Sequence, residues 1–276
     1  MKLPSPSQEN AGPEVSILMT AFNSSTYLAE AFDSILSQAT SRIWELLFVD
    51  DGSTDGTLAI ARQHANRYSG RIRVLVHPGG VNRGISASRN LALRYARAPL
   101  ITFLDSDDVW LPHHLETQAS LLDDMPHVTM VYAAAERWVD FTVPFHEQSS
   151  RAANWGSNYI PPLIPRGASV GLLARGELLR WFREDESMVP CICTVMLRTA
   201  AARMVGGFCA DFRGLYDDQA FHAKVARQYD IYAHDVCVAR YRQHPASCCA
   251  RARLDDQIEQ KERDKFQAFL SSTQGT

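Results

Sequence analysis

The sequence predicts an α/β protein in which a mostly parallel central sheet is covered by helices on both faces. Two observations support this fold class. Short apolar runs alternate with amphipathic helical segments between Val15 and Leu104, which is the order of parallel strands joined by crossover helices. Acidic residues also follow two of these runs directly, beginning at Asp50 and at Asp105. In open sheets of this type, ligands bind beyond the carboxyl ends of the strands.

The first part of the chain contains four predicted strands and three helices. Residues 15–22 form an apolar run that ends at a helix-capping segment, 23–26. The other strands are predicted at 44–49, 72–76 and 100–104, and the helices at 27–38, 58–68 and 85–96. Short links rich in Gly, Pro, Asn and Asp join them.

The pattern continues with a helix at 113–123 and a strand at 128–133, and it becomes irregular after residue 138. The segment 141–166 is rich in Pro, Asn, Ser and Gly, and long irregular segments are usually functional or mobile. Later helices are predicted at 171–182, 216–229 and 254–270, and later strands at 191–197 and 231–241.

The composition is that of an ordinary globular protein, with 46% hydrophobic and 21% charged residues. A formal net charge of −3 offers no basic field for a nucleic-acid partner. No apolar run is long enough to span a bilayer, and the polar N-terminus lacks the apolar core of an export signal. We expect a cytoplasmic protein with reduced cysteines, and peripheral contact with the inner face of the membrane stays open.

Three acids follow the fourth predicted strand within four residues: Asp105, Asp107 and Asp108. Carboxylates this close cannot all stay ionised without a positive partner. A divalent cation that also binds substrate phosphates is one such partner, because hard cations prefer oxygen ligands. The alternative is structural, since Asp107 or Asp108 could cap a helix that begins near Pro112. The residues alone leave both interpretations open.

Two further acidic pairs stand elsewhere in the chain. Asp50 and Asp51 follow the second predicted strand, so they face the same edge of the sheet as the first cluster. Asp217 and Asp218 open a later helix, where acids also stabilise a helix N-terminus. Carboxylates at such positions can accept an N–H, bind a metal or remove a proton from a hydroxyl.

Several segments occur in the order that is typical of one enzyme family. They are 15–23, Val49-Asp-Asp-Gly-Ser-Thr-Asp-Gly-Thr57, Asn82-Arg-Gly84 with Ser88-Arg-Asn90, Phe103-Leu-Asp-Ser-Asp-Asp108, Val205-Gly-Gly-Phe208, Asp217-Asp218, and Tyr241-Arg-Gln-His244 with Ser247. From about residue 14 to residue 248, the sequence resembles the glycosyltransferase family 2 enzymes. The resemblance implies a GT-A fold with a Rossmann-like sheet and an inverting transfer of a sugar from a nucleotide diphosphate to an acceptor hydroxyl or amine.

The resemblance also suggests a division of the chain. A flexible N-terminal tail at 1–13 would precede a nucleotide-sugar-binding half at 14–135. An acceptor-binding half at 136–250 would supply the catalytic base, and a C-terminal helix or tail would occupy 251–276.

The resemblance implies donor-binding roles for residues near the strand ends. Thr20 and Phe22 would border the nucleobase, although Phe22 fits a core aromatic equally well. Asp51 would accept the imide N–H of the base, while Asp50 would hold the loop. Arg89 would point towards the diphosphate, although an arginine on a helix surface fits the sequence equally well.

The same resemblance assigns a metal site and its surroundings. Asp107 would be the direct ligand of Mn²⁺ or Mg²⁺. Asp105 would lie near the ribose and the metal-bound waters, with Ser106 also in the donor site. His244 would approach the metal or the diphosphate from the C-terminal side, and a structural histidine is the alternative. The cation would bind chiefly when the diphosphate supplies further oxygen ligands.

Asp218 would be the general base that removes the proton of the acceptor as its hydroxyl attacks the sugar. Two departures from the family pattern affect this region. The family usually has Glu-Asp where this chain has Asp217-Asp218, and Gln219 replaces the bulky aromatic residue that often follows. The orienting role of the first acid and the contact with the acceptor are therefore less firmly implied.

Two other functions remain as alternatives. A sugar nucleotidyltransferase would need a Gly-rich, basic phosphate loop after the first strand, and none is present. A nucleotide-sugar-binding protein without activity fits the altered Asp217-Asp218-Gln219 region. Glu177-Leu-Leu-Arg-Trp181 is similar to a signature of processive synthases, but it precedes the acidic pair and is interpreted as an amphipathic helix. A UDP-sugar is the expected donor, with GDP and dTDP open, and the acceptor could be a glycan, a lipid-linked molecule, a small molecule or a peptide.

Overall fold

The structure is a computed structural model that describes residues 12–139, 159–160, 170–184, 190–252 and 255–272. Most of the predicted tail 1–13 and most of the irregular segment 141–166 lie outside these residues. Within the described ranges, no helix has both the length and the apolar character that crossing a membrane requires. The cytoplasmic location stays a prediction.

The first part of the chain folds as a parallel sheet with crossover helices. Its elements are β1 (Val15–Ala21), α1 (Leu28–Leu36), β2 (Trp44–Asp50), α2 (Thr57–Arg67), β3 (Ile72–Val76), α3 (Ile85–Tyr95) and β4 (Leu100–Asp105). The four strands are parallel and lie in the order β3-β2-β1-β4. Every residue of β1 and β2 is buried, because helices cover both faces of the sheet.

The second part contains the two longest strands, β6 and β10, four strands of two or three residues, and most of the helices of the described residues. Its elements are β5 (Val109–Trp110), α4 (His114–Asp124), β6 (Met130–Val139), β7 (Tyr159–Ile160), β8 (Gly171–Leu173), α5 (Glu177–Glu184), β9 (Met196–Arg198), α6 (Thr199–Met204), α7 (Asp217–Gln228), β10 (Ile231–Gln243), α8 (Cys248–Ala252) and α9 (Asp256–Ser272). Beyond β4 the sheet continues in the order β9-β6-β10-β5. β10 is parallel to β6, while β5, β7, β8 and β9 are antiparallel to their neighbours. The predicted α/β class is confirmed, with a sheet that is parallel in its first half and mixed in its second.

Two predicted elements are wrong in part. The helix predicted at 171–182 begins only at Glu177, because Gly171–Leu173 pair with β10 and place Leu173 opposite Ile231. The strand predicted at 191–197 is a 3₁₀ turn at Ile192–Thr194 followed by the three residues of β9. Short apolar runs of this length do not distinguish a strand from a helical turn.

The sheet separates two apolar cores. Successive residues of β4 alternate between them, so that Phe103 faces one core and Leu104 the other. Phe103 packs edge-on against Phe208 and Phe221, with ring centroids 5.5 and 5.9 Å away. This cluster joins the end of β4 to α7, so the two elements that carry acidic pairs share one core.

The last helix, α9, is part of this same core. The sequence predicts a largely polar helix here, yet Phe266 and Leu270 on one face are fully buried. The ring of Phe266 stacks on Tyr216, the residue that precedes α7, with ring centroids 5.0 Å apart. Lys265 donates a hydrogen bond to the carbonyl oxygen of Asp211 at 2.9 Å. The helix therefore supports the segment that leads into the Asp217-Asp218 pair.

We predict that Phe266→Ala lowers the free energy of unfolding by about 3–5 kcal/mol, because it leaves a cavity beneath Tyr216. Urea unfolding measures this change. Ile258→Ala is the control on the same helix, since Ile258 is half exposed and its loss should cost at most about 0.5 kcal/mol. Equal losses for the two variants would contradict the packing of α9 described here.

Candidate active site

The carboxyl ends of β1, β2 and β4 lie side by side. Across β1 and β4, Thr20 is opposite Asp105, and across β1 and β2, Ala21 is opposite Asp50. Phe22, the first residue beyond β1, is 42% exposed and is therefore not a core aromatic. The residues expected at the nucleobase thus border the same edge of the sheet as both acidic clusters.

The carboxylate of Asp51 is buried and holds the loop that leads into α3. Its Oδ1 accepts the backbone N–H of Arg83 at 2.7 Å, and its Oδ2 accepts that of Gly84 at 2.9 Å. Asp50 holds its own turn by accepting the N–H of Ser53 at 3.1 Å. Asp50 is expected to hold its loop, and Asp51 also holds one, the loop that leads into α3. Each carboxylate oxygen can accept a further hydrogen bond, so recognition of the base by Asp51 stays a prediction.

Gly84 sits where no other residue fits easily. Its φ is +88°, a conformation that L side chains rarely adopt. A Cβ at this position would lie 3.0 Å from the Cβ of Arg213, and the Nη2 of Arg213 donates to the carbonyl oxygen of Asn82 at 3.3 Å. The loop is therefore held between Asp51 on one side and Arg213, four residues before Asp217, on the other.

Arg89 connects the two halves of the site. Its Nη2 lies 2.6 Å from Asp105 Oδ1, and its Nη1 forms an ion pair with Asp217 Oδ2. Burial alone would lower the pKa of Arg89, but Asp105 and Asp217 raise it above its usual value. The surface-helix interpretation is wrong, because the Arg89 side chain is almost fully buried. Both terminal nitrogens bind protein carboxylates, and a contact with the diphosphate stays a prediction.

The Asp217-Asp218 pair forms the first turn of α7. Tyr216, immediately before it, adopts the left-handed conformation with φ +62°. Burial raises the pKa of Asp217 to about 7, although Arg89 opposes this shift. Burial also raises the pKa of Asp218, whose Oδ1 accepts the N–H of Gln219 at 2.8 Å. The two acids stand at a helix N-terminus and also within the candidate site. A helix-stabilising role and a catalytic role are therefore compatible.

Asp107 and His244 meet at the mouth of the site. His244 Nε2 lies 3.0 Å from Asp107 Oδ2, and the Asp107 side chain is 30% exposed. Next to it, the buried Asp108 accepts the backbone N–H of Arg242 at 2.9 Å. Burial raises the pKa of Asp108 well above its ordinary value, and the nearby Asp107 adds to this effect. The capping alternative is wrong, because α4 begins at His114 without a side-chain cap.

The described residues supply only some of the ligands that a cation at this site would need. Among the described residues, no group of three or more His, Cys, Asp or Glu side chains is arranged to bind a metal alone. Asp107 offers a partly exposed carboxylate, and the His244 Nε2 beside it hydrogen-bonds this carboxylate, so a direct contact of His244 with a metal stays a prediction. Mg²⁺ and similar ions are commonly held by one or two carboxylates, with phosphates and waters completing the shell. The residues present fit a cation of this kind when a diphosphate is bound.

Sequence reasoning missed four residues that support the site. His77 is buried 3.5 Å from Asp51 Oδ1 and 2.8 Å from Ser88 Oγ, and burial lowers its pKa. Arg242 lies in the quoted segment Tyr241-Arg-Gln-His244, whose histidine alone received a role. Tyr27 packs against the guanidinium group of Arg242 and Glu30 forms an ion pair with it. Both lie near the start of the sequence, far from Arg242, so no local sequence pattern connects them with it.

Ser106 and Ser24 share a hydrogen bond of 2.8 Å between their Oγ atoms. Ser24 precedes α1, and its backbone N–H donates to Thr57 Oγ1 at 2.8 Å. Ser106 therefore joins the turn after β4 to the segment after β1. Its place in the donor site stays a prediction.

Several solved structures with a similar fold contain nucleotides. TarS from S. aureus, solved as residues 1–349 in complex with UDP, superposes with a TM-score of 0.60 at 21% identity, covering 84% of this chain and 61% of that one. The mannosyltransferase PcManGT from Pyrobaculum calidifontis, in complex with GDP-Man and Mn²⁺, gives a TM-score of 0.57 at 20% identity, covering 84% and 57%. The fold is that of the GT-A glycosyltransferases.

Sequence comparisons define the family. The model described as Glycosyl transferase family 2 matches residues 16–201. EpsE of Bacillus subtilis (strain 168), whose naming as a glycosyltransferase is itself provisional, is 33% identical over 199 residues, covering 72% of this chain and 61% of EpsE. The chain belongs to glycosyl transferase family 2.

A second relative is much less completely covered. The Escherichia coli UDP-Glc:alpha-D-GlcNAc-diphosphoundecaprenol beta-1,3-glucosyltransferase WfgD is 36% identical over 108 residues, or 39% of this chain and 40% of WfgD. This chain thus spans about three fifths of the length of EpsE and about two fifths of that of WfgD.

We predict that Gly84→Ala destabilises the protein more than Gly70→Ala does. Both glycines have a φ of +88°, which L side chains rarely adopt, and the ψ of 159° at Gly84 lies in a region that is essentially restricted to glycine. In addition, only the new methyl group at Gly84 meets Arg213, since Gly70 has no neighbour within 4 Å. The difference between the two free energies of unfolding, measured in urea, reports the combined backbone strain and crowding at Gly84. Indistinguishable values would contradict the close approach of Arg213.

Proposed function

We propose that this chain is a metal-dependent inverting glycosyltransferase that transfers a sugar from a nucleotide diphosphate to an acceptor hydroxyl. The observation that carries the proposal is the ion-pair chain Asp105–Arg89–Asp217. It joins the end of β4, beside the expected metal ligand, to the first turn of α7, beside the expected base. A site with a donor side and a base side is what a single displacement at a sugar carbon requires.

The donor side consists of the strand ends. Thr20 and Phe22 would border the base, Asp51 would accept its imide N–H, and Asp105 and Ser106 would lie near the ribose. A UDP-sugar is the favoured donor, because structures of TarS are in complex with UDP and with UDP-GlcNAc. PcManGT is in complex with GDP-Man, so GDP-sugars are the next candidates.

The metal would be Mn²⁺ or Mg²⁺, held by Asp107 with His244 beside it. When bound, such an ion supplies positive charge that stabilises the departing diphosphate. The partly exposed position of Asp107 supports this role, as does the Mn²⁺ in the complex of PcManGT. The chain itself orients the carboxylate through the hydrogen bond to His244.

Asp218 is the better candidate for the general base. Asp217 is buried and ion-paired with Arg89, so its carboxylate is already engaged. Asp218 is only partly buried, and Gln219 occupies just one of its oxygens. That leaves the other oxygen to accept the proton of an acceptor hydroxyl as its oxygen attacks the sugar. Asp217 then serves to fix the first turn of α7.

The acceptor class rests on the relatives alone. WfgD acts, by its name, on a sugar linked to diphosphoundecaprenol. A glycan or lipid-linked acceptor is therefore the first class to test, before small molecules and peptides. Each of the two alternatives makes its own prediction. A nucleotidyltransferase would release pyrophosphate from a nucleoside triphosphate. An inactive binding protein would bind a donor without turnover.

We predict that Asp107→Asn and Asp218→Asn fail in different ways. Asp107→Asn should weaken Mn²⁺-dependent binding of UDP, because the charged ligand is lost. Asp218→Asn should bind UDP and Mn²⁺ normally but lose about 10²–10⁴-fold in kcat, because no base accepts the proton. Calorimetric titration and donor turnover with a panel of acceptors measure both effects. Normal turnover by both variants would exclude the proposed mechanism.

We also predict an acidic limb in the pH profile of kcat/KM that lies above the ordinary aspartate pKa of 3.8. Asp218 must be ionised to accept a proton, and burial raises its pKa, so activity falls as the pH drops through that raised value. Arg89 lowers the pKa of Asp218, so Arg89→Gln should move the limb to higher pH and Arg89→Lys should move it less. The exposed Arg94→Gln on the same helix is the control. A limb near 3.8 in the unmodified protein would contradict this assignment.

A further inference from the structure

Arg242 of β10 makes an unusual set of contacts beneath the candidate metal site. Its backbone N–H donates to Asp108 Oδ1 at 2.9 Å, and its Nε donates to the carbonyl oxygen of Asp107 at 2.8 Å. A single residue of β10 thus binds two consecutive residues of the turn after β4, although 134 or more positions separate them in the sequence. The side chain is almost fully buried.

The guanidinium group is fixed on three further sides. Its Nη2 forms an ion pair with Oε2 of Glu30 on α1. Its Cζ lies 3.9 Å from the ring centre of Trp138 and 4.5 Å from that of Tyr27, so two aromatic rings pack against it. A planar guanidinium with this many partners keeps one orientation, which a flexible ammonium group would not.

Tyr27 also contacts the other residue that binds Asp107. Its ring centre lies 4.7 Å from that of His244, and His244 Nε2 lies 3.0 Å from Asp107 Oδ2. Asp107 is therefore held at two points. Arg242 fixes its main chain, His244 binds its side chain, and Tyr27 packs against both.

We infer that Arg242 is a positioning residue that holds Asp107 in the orientation in which its carboxylate binds the metal ion, an inference that rests on the proposed function. Partners of a metal ligand fix its geometry, and their loss typically weakens metal binding 10–100-fold. Glu30 neutralises the charge of the guanidinium group, so a buried cation so near to Asp107 does not oppose the approach of a metal ion.

A solely structural role for Arg242 makes a different prediction. The residue would then stabilise the fold, and its replacement would weaken the binding of every ligand in proportion to the loss of folded protein. A positioning role instead predicts different effects on the binding of Mn²⁺ and of UDP. Binding of Mn²⁺ would weaken, while binding of UDP without metal would not change.

The test compares Arg242→Gln with Arg240→Gln. Arg240 lies on the same strand, pairs with Glu136 at 2.7 Å and approaches the same Trp138 ring at 5.7 Å. Its backbone pairs with Val109, but no contact of its side chain with the Asp107 turn is seen among the described residues. Free Mn²⁺ is measured by its electron paramagnetic resonance signal during titration of each full-length variant with saturating UDP. We expect Arg242→Gln to bind Mn²⁺ about 10–100-fold more weakly. Arg240→Gln should stay within about twofold of the unmodified protein, in line with an exposed ion pair.

Two more measurements separate positioning from folding. UDP binding in the presence of a chelator should be the same for both variants. In turnover assays, Arg242→Gln should raise the KM for Mn²⁺ and recover most of its kcat at saturating metal. Arg242→Lys keeps the charge next to Glu30 but lacks the planar group, so it should also weaken Mn²⁺ binding, and it carries the test if Arg242→Gln does not fold.

The outcomes distinguish this inference from the function on which it rests. If Asp107→Asn weakens Mn²⁺ binding and the Arg242 variants do not, Arg242 has no positioning role and the proposed function stands. Should Asp107→Asn leave Mn²⁺ binding unchanged, the metal assignment fails, and the positioning role of Arg242 fails with it. Weakened UDP binding in chelator for the Arg242 variants would indicate a structural role alone.

Discussion

The ion-pair chain through Arg89 is the interaction on which the rest of the site depends. It joins two carboxylates that stand on elements more than a hundred residues apart, and its Arg89–Asp217 contact is almost fully buried, while the Asp105 side chain is 27% exposed. Removing one partner of such a buried pair typically costs about 3–5 kcal/mol, since an uncompensated charge remains. Arg89 therefore links the donor side to α7 through ion pairs, in addition to the aromatic packing of Phe103 against Phe208 and Phe221.

The parallel half of the fold could be predicted because local sequence and tertiary environment agree there. β1 and β2 are buried on both faces, so their sequences are mostly apolar and easily recognised. The second half lacks that agreement. β8 and β9 have three residues each, and their strand conformation comes from pairing with β10 and β4, which no local periodicity reveals. Likewise, α9 is mostly polar, and its two buried residues give too weak a pattern to predict its packing.

The candidate site likewise contains residues that the sequence suggests and residues that it does not. The resemblance implies that Asp107 binds the metal and that His244 approaches the metal or the diphosphate; in the structure His244 Nε2 lies 3.0 Å from Asp107 Oδ2, and both roles stay predictions. The resemblance could suggest that pair because each residue lies in a short motif. Arg242, Tyr27 and Glu30 were missed because their roles exist only in three dimensions. A stacked guanidinium has no sequence signature, and Glu30 is one of two acids on the exposed face of α1.

The left-handed conformation of Tyr216 gives the C-terminal helix an importance beyond stability. Such a conformation costs about 1–3 kcal/mol and persists only where its surroundings enforce it. One contact that supports this conformation is the ring of Phe266, 65 positions beyond the end of the family match at residue 201. A boundary drawn at that match would exclude both the acidic pair and the support of the backbone bend before it. A chain that keeps both the acidic pair and the support of the bend before it therefore has to extend at least into α9.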